Sequence, residues 1–253
     1  MQKALQLQHE LPGCTGVFLG RQPHLASGNR GKTLRRKYQA VNALGAQPTK
    51  ICQVIVPSDD SSNGHKTIGA ANYESPVYGE GIVLTDVSSG GFMQTRDCPT
   101  LFLSNEKTGR VLMSHAGKYA VRPPVDCSGC SGNIVSTAFK AVAPDYDGGL
   151  VHAWVVGGIC PTCFKHDDER GQAFIKPFLD TFGTEVFTGD VNMGQLDLNT
   201  LIKLQLQGFG VAASNIRIDT TCPREHVGCA SYRGITFDGD DDTLANDLYI
   251  VRH

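Results

Sequence analysis

The segment Thr95–Gly117, TRDCPTLFLSNEKTGRVLMSHAG, decides how the rest of the chain is read. Two apolar runs, Thr100 to Ser104 and Arg110 to Ser114, flank the polar link Asn105-Glu106-Lys107-Thr108-Gly109. Asparagine and glycine in so short a link favour a tight turn, so the pattern predicts a β-hairpin. A hairpin returns the chain to its starting point. Cys98, before the first strand, and His115, after the second run, are therefore expected side by side. A thiol beside an imidazole has two main uses. The imidazole can help hold the sulfur as a nucleophilic thiolate, or both can bind a borderline metal such as zinc.

Outward from the hairpin, Gly16 to Leu19 and Ile51 to Val56 read as strands, and Pro76 to Asp86 as another strand approach. The latter ends at a Gly-rich turn, Ser88-Ser89-Gly90-Gly91. Asn29 to Leu44 has apolar residues at three- and four-residue spacing and predicts an amphipathic helix with a basic outer face, closed by Gly45. Downstream, helices are expected over Asn133 to Val142, Gln172 to Phe182 and Asn199 to Gly208, and strands over His152 to Gly158, Ile216 to Asp219 and Asp247 to Val251. Strands that alternate irregularly with helices and include hairpins argue for α+β with mixed sheets.

Two Cys-x-x-Cys pairs, Cys127/Cys130 and Cys160/Cys163, have the ligand count and pair spacing of a structural zinc site. Each cysteine also has a plainer reading as a small buried hydrophobe. A thioredoxin-like redox role for Cys160-Pro161-Thr162-Cys163 lacks the βαβ pattern that would support it. The first pair lies in 122–133, which reads as an inserted loop.

Several of these segments together resemble the laccase-domain family, first described as polyphenol oxidases and including purine nucleoside phosphorylases with a zinc site. The resemblance rests on Thr95-x-Asp97-Cys98, on His115-Ala116-Gly117, on Ile159-Cys160-Pro161-Thr162-Cys163-Phe164 and on Ser231-Tyr232-Arg233. Gly16 to Arg21 and Thr220-Thr221-Cys222 are also similar to family segments. The resemblance implies one domain over residues 1–253 with a layered α/β/α fold like that of some cysteine hydrolases. It implies Cys98, His115 and a further histidine as metal ligands and catalytic residues. It implies Arg21 and Arg233 as contacts for substrate or phosphate, with Lys118 a candidate for the same role at a position where this chain departs from the family. Two departures matter. The family has Gln-Val-His-Gly where this chain has Gln53-Val54-Ile55, so His65, in Gly64-His65-Lys66, is either the replacement ligand from a remodelled loop or an exposed loop histidine. After the His-Ala-Gly motif the family has Trp-Arg, and here Lys118-Tyr119 stands instead; lysine brings charge without the bidentate fork of arginine.

The expected activity is metal-dependent phosphorolysis of purine nucleosides such as adenosine, inosine or guanosine, with adenosine deamination at the same centre. The alternatives are a cysteine hydrolase or deamidase using Cys98 and His115, and a non-catalytic nucleoside- or metal-binding protein. Zinc is favoured over copper, because a blue-copper site wants two histidines, a cysteine and a weak axial ligand. The chain has 253 residues, 40% hydrophobic and 19% charged, with a net charge of −2. That balance provides a sizeable core and no basic field for nucleic acid or an anionic membrane. No apolar run approaches the roughly 18 residues of a membrane span and no signal peptide is evident, so a cytoplasmic monomer or homodimer is expected. Nine cysteines in such a compartment are expected as thiols or metal ligands.

Overall fold

The computed structural model describes residues 4–23, 48–56, 68–123 and 133–253. The helix expected over Asn29 to Leu44, His65, and the pair Cys127/Cys130 lie outside the described residues. The hairpin forms where its sequence predicts, as β8 (Thr100–Asn105) and β9 (Val111–His115), with Thr100 opposite His115. Its turn is made by Asn105, whose side-chain oxygen accepts from the backbone of Lys107 (2.9 Å) and Thr108 (3.1 Å), while Gly109 takes φ +63°.

The hairpin lies at the centre of a six-stranded mixed sheet. Its spatial order is β11 (Ile216–Ile218), β10 (Val151–Val156), β8, β9, β6 (Gly81–Leu84) and β4 (Ile68–Ala70). A second six-stranded sheet runs β1 (Gln6–Leu11), β2 (Cys14–Pro23), β12 (Leu244–Arg252), β7 (Ser89–Thr95), β3 (Lys50–Ile55) and β5 (Val77–Tyr78). Both sheets contain parallel and antiparallel neighbours, so the α+β class with mixed sheets holds.

Side-chain alternation explains the layers, because successive strand residues point to opposite faces. In the hairpin sheet, Leu101, Leu103, Leu112, Ala153 and Val155 face α1 (Ile134–Val142), α2 (Glu169–Phe182) and α3 (Leu198–Gly208). Phe102, Met113, Trp154 and Ile82 face the other way, against Phe18, Met93 and Leu248 of the second sheet. The central sheet is therefore buried on both sides, which is why its strands read as nearly continuous apolar runs. Among the described residues no helix is long and apolar enough to cross a membrane.

One expected turn is corrected. Gly90 and Gly91 belong to strand β7, and the turn is confined to residues 86–88. The glycines are there for close packing: a Cβ on Gly91 would collide with Ile82 Cδ1 across the sheet interface. The Pro76 to Asp86 segment is likewise two short strands, β5 and β6, assigned to different sheets and separated by Gly79-Glu80.

Candidate functional site

Cys98 lies on the link between β7 of one sheet and β8 of the other, and His115 ends β9. The link is closed by the Ala116 N–H, which donates to the Pro99 carbonyl at 2.8 Å. Gly117 reports how near the two side chains come. A Cβ built on it would lie 2.6 Å from His115 Cε1, 3.0 Å from Nε2 and 3.3 Å from Cys98 Sγ. The missing methyl is thus a small cradle walled by the imidazole edge and the thiol.

The imidazole is fixed from behind. Its Nδ1 lies 2.5 Å from Glu80 Oε2, and the backbone supports the pair, since the His115 N–H donates to the Glu80 carbonyl at 2.7 Å. Both side chains are largely buried, at 16% and 11% exposure. A carboxylate on Nδ1 keeps the proton there and leaves Nε2 directed to the Cys98 side. Burial alone would lower the His115 pKa. The charge and hydrogen bond of Cys98, followed by those of Glu80, outweigh it and take the pKa to about 10.

Cys98 is held through its neighbour. Asp97 accepts the Ile159 N–H at its carbonyl (2.9 Å) and the Arg233 N–H at Oδ2 (2.8 Å), tying the link to the segments after β10 and β11. Arg233 lies 4.9 Å over the Phe164 ring and donates to the Cys163 carbonyl at 3.4 Å. Lys118 sits over Tyr119 and Phe174. Between them is His166, 8% exposed, with no partner for Nε2 among the described residues. Its pKa falls to about 4, first through burial and then through the positive charges of Lys118 and Arg233. Two half-buried cations and a buried, neutral imidazole therefore share one neighbourhood. Arg21 takes φ +47° and is bound elsewhere, its Nε donating to the Cys229 carbonyl (3.0 Å) and its guanidinium 3.7 Å from Asp240.

The second Cys-x-x-Cys pair also has company that the sequence reading did not name. Cys160, Cys163, Cys222 and Glu225 place their donor atoms within 4.8 Å of one another, a cluster that could bind a metal. Glu80, His166, Cys222 and Glu225 were all missed as site residues. A signal existed for the last two, since Cys160-Pro161 and Cys222-Pro223 repeat one dipeptide. Glu80, a lone carboxylate between two glycines, carried none.

The sequence model of the family described as multi-copper polyphenol oxidoreductase laccase matches residues 28–238. This chain is a laccase-domain protein. Solved structures of similar fold include the Bacillus licheniformis hypothetical protein YfiH, 12% identical over 95% of this chain and 93% of that one, with a TM-score of 0.68. They also include YlmD from Geobacillus stearothermophilus, 18% identical over 100% and 98%, and Neisseria meningitidis protein NMB0706, 16% identical over 98% and 98%, each with a TM-score of 0.68. At such identities the likeness is one of fold. No curated protein sequence matches the chain.

Two expected results follow from the geometry of this laccase-domain site. Gly117→Ala puts a methyl against an imidazole that Glu80 does not let move, so the donor pair must splay. The fold is expected to lose about 1–3 kcal/mol while remaining folded, checked by thermal melting. The second concerns acid. His166 has a folded pKa below that of an unfolded histidine, so as pH falls below about 6.5 the unfolded chain binds protons first. Stability should decline from about pH 6.5 and level off near pH 4, by on the order of 3 kcal/mol in all. In His166→Phe that part of the acid limb should vanish from denaturant midpoints measured across the same range.

Proposed function

We propose that this laccase-domain protein is a metal-dependent purine nucleoside phosphorylase, using zinc held by Cys98 and His115 with His65 as a further candidate ligand. The observation that carries the reading is the Glu80–His115–Cys98 arrangement. A carboxylate on the far nitrogen of a histidine whose near nitrogen meets a thiol is the usual second-shell order of a zinc ligand. The donor set fits: a soft thiolate and an imidazole converge on a space that glycine leaves open. When bound there, zinc would supply Lewis acidity beside the departing base.

The chain's own residues account for the rest. In this reading Lys118 and Arg233 attract the phosphate dianion, and His166, kept neutral beside them, adds a hydrogen-bonding nitrogen rather than charge. In phosphorolysis a phosphate oxygen forms the new bond to ribose C1 as the bond from C1 to the purine nitrogen breaks, and the electron pair leaves with the base. Glu80 holds the Nδ1 proton and with it the ring orientation. The partners in this reading are a purine nucleoside and phosphate, with no nucleic acid or membrane, in a cytoplasmic monomer or homodimer. Adenosine deamination at the same centre belongs to the same proposal.

A second reading has its own support. The charge shared between Cys98 and His115, which takes the imidazole to about pKa 10 with Glu80 behind it, is also that of a cysteine hydrolase or deamidase. Phosphate-dependent release of base and ribose 1-phosphate from adenosine, inosine or guanosine, abolished by a chelator and restored by zinc, supports the phosphorylase. Chelator-insensitive amide hydrolysis blocked by iodoacetamide overturns it. Glu80→Gln should cost about 10–100-fold in zinc affinity under the metal reading, measured by competition with a chromogenic chelator.

A further inference from the structure

The strands β10 and β11 are parallel neighbours, Ala153 opposite Ile216, so both segments leave the sheet at the same end. Each then makes a turn that opens with the same dipeptide, Cys-Pro. Cys160-Pro161-Thr162-Cys163 closes with the Cys163 N–H donating to the Cys160 carbonyl (3.1 Å), and Cys222-Pro223-Arg224-Glu225 with the His226 N–H donating to the Cys222 carbonyl (3.0 Å). Each turn offers donors at its first and fourth positions, and the turns face one another. The Cys160 N–H donates to the Cys222 sulfur at 3.3 Å, and the Cys160 and Cys163 sulfurs lie 3.3 and 3.4 Å from Glu225 Oε1.

We propose that Cys160, Cys163, Cys222 and Glu225 form a second zinc site, structural in kind and separate from the Cys98/His115 centre. Zinc prefers four ligands in a tetrahedron, and bonds of about 2.0–2.3 Å set donor separations of about 3.5–3.8 Å. The sulfur-to-carboxylate distances, 3.3 and 3.4 Å, fall just short of this range, and all four donors lie within 4.8 Å of one another. Small rotations of the side chains complete the set, and Glu225, the exposed member, is the freest to adjust. The Cys160 N–H donating to the Cys222 sulfur is the kind of hydrogen bond that favours a metal-bound thiolate. Three thiolates and a carboxylate around a divalent ion leave two negative charges. Arg233, bonded to the Cys163 carbonyl, lies beside the cluster to offset part of this charge, while Arg224, inside the second turn, is paired with Asp238.

The consequence is positional. Zinc here would clip the segment after β11 to the segment after β10, and those are the segments that hold Asp97 through Ile159 and Arg233. The clip thus braces the loop bearing Cys98 without touching substrate.

The test uses the full chain in a Cys98→Ala background, so that the hairpin centre does not contribute. Metal is measured by mass spectrometry after desalting, and cobalt(II) replaces zinc as a spectroscopic probe. Retention of about one zinc per chain, with intense sulfur-to-cobalt charge-transfer absorption, is expected. Adding Cys222→Ser should remove both. Glu225→Gln, on an exposed side chain, should weaken zinc binding at least 10-fold and change the cobalt spectrum while the protein still melts cooperatively. Adding Cys127→Ser with Cys130→Ser should leave zinc content unchanged. The proposal is overturned if the Cys98→Ala protein folds yet holds no zinc, if the Cys127/Cys130 changes release it, or if thiol titration finds Cys160 and Cys163 joined as a disulfide with no metal. None of these results bears on phosphorolysis, which is assayed with Cys98 intact.

Discussion

Under the phosphorylase function proposed above, replacing Cys98 by alanine should remove zinc from the hairpin centre and lower phosphorolysis by well over 100-fold. The bound follows from a comparison of effects. Losing a second-shell partner such as Glu80 costs about 10–100-fold, because the ligand stays in place with poorer orientation and basicity. Losing the thiolate removes a ligand outright and leaves His115 alone on that side of the site. His115→Ala should match it, and the double variant should be little worse than either, as is usual for groups that act as a unit. Cys98 is only partly buried and at the end of a link, so the fold should survive, with an unchanged melting profile as the check. Activity that persists in Cys98→Ala would end both the metal and the cysteine-hydrolase readings at once.

The second large effect is on stability. Trp154 fills the space between the two sheets, 1% exposed, stacked on Phe102 with centroids 5.1 Å apart, and packed so closely on Gly16 that a Cβ there would lie 2.8 Å from the indole. Trp154→Ala should cost about 3–5 kcal/mol through lost burial and a cavity that two stacked sheets cannot collapse. For a chain of this size that is a fall in Tm of roughly 10–15 °C. Trp154→Phe should cost much less, since Nε1 has no partner among the described residues and its removal orphans nothing. Differential scanning calorimetry of both variants separates lost volume from lost polarity.

Local pattern carried most of the secondary structure. The hairpin, the three helices and the strands β3, β10, β11 and β12 follow periodicity and turn chemistry to within a few residues. Most of what escaped was set by contacts remote in sequence. Gly90-Gly91 looks like a turn unless Ile82 is known to press on it from the facing sheet. The edge strand β1 pairs with β2, and its period-2 pattern, Leu5, Leu7, His9 and Leu11 between polar residues, is a local signal that the expected strands above leave out. At the site, Cys98 and His115 were legible because a hairpin is a local device. Glu80 reaches His115 through the β6–β9 pairing, and Cys222 reaches Cys160 through the β10–β11 pairing, neither of which is visible in a single sequence.

The place of β12 determines when this molecule can become complete. This strand lies between β2 and β7, pairing Val251 with Thr15 on one side and with Gly90 on the other. The hairpin sheet can assemble early, as β8, β9 and β10 are sequence neighbours, but its companion has a gap until residue 252 is available. Loop closure over most of the chain makes that final insertion slow. Without β12, β2 and β7 keep open edges, and β7 leads directly into the link that bears Cys98.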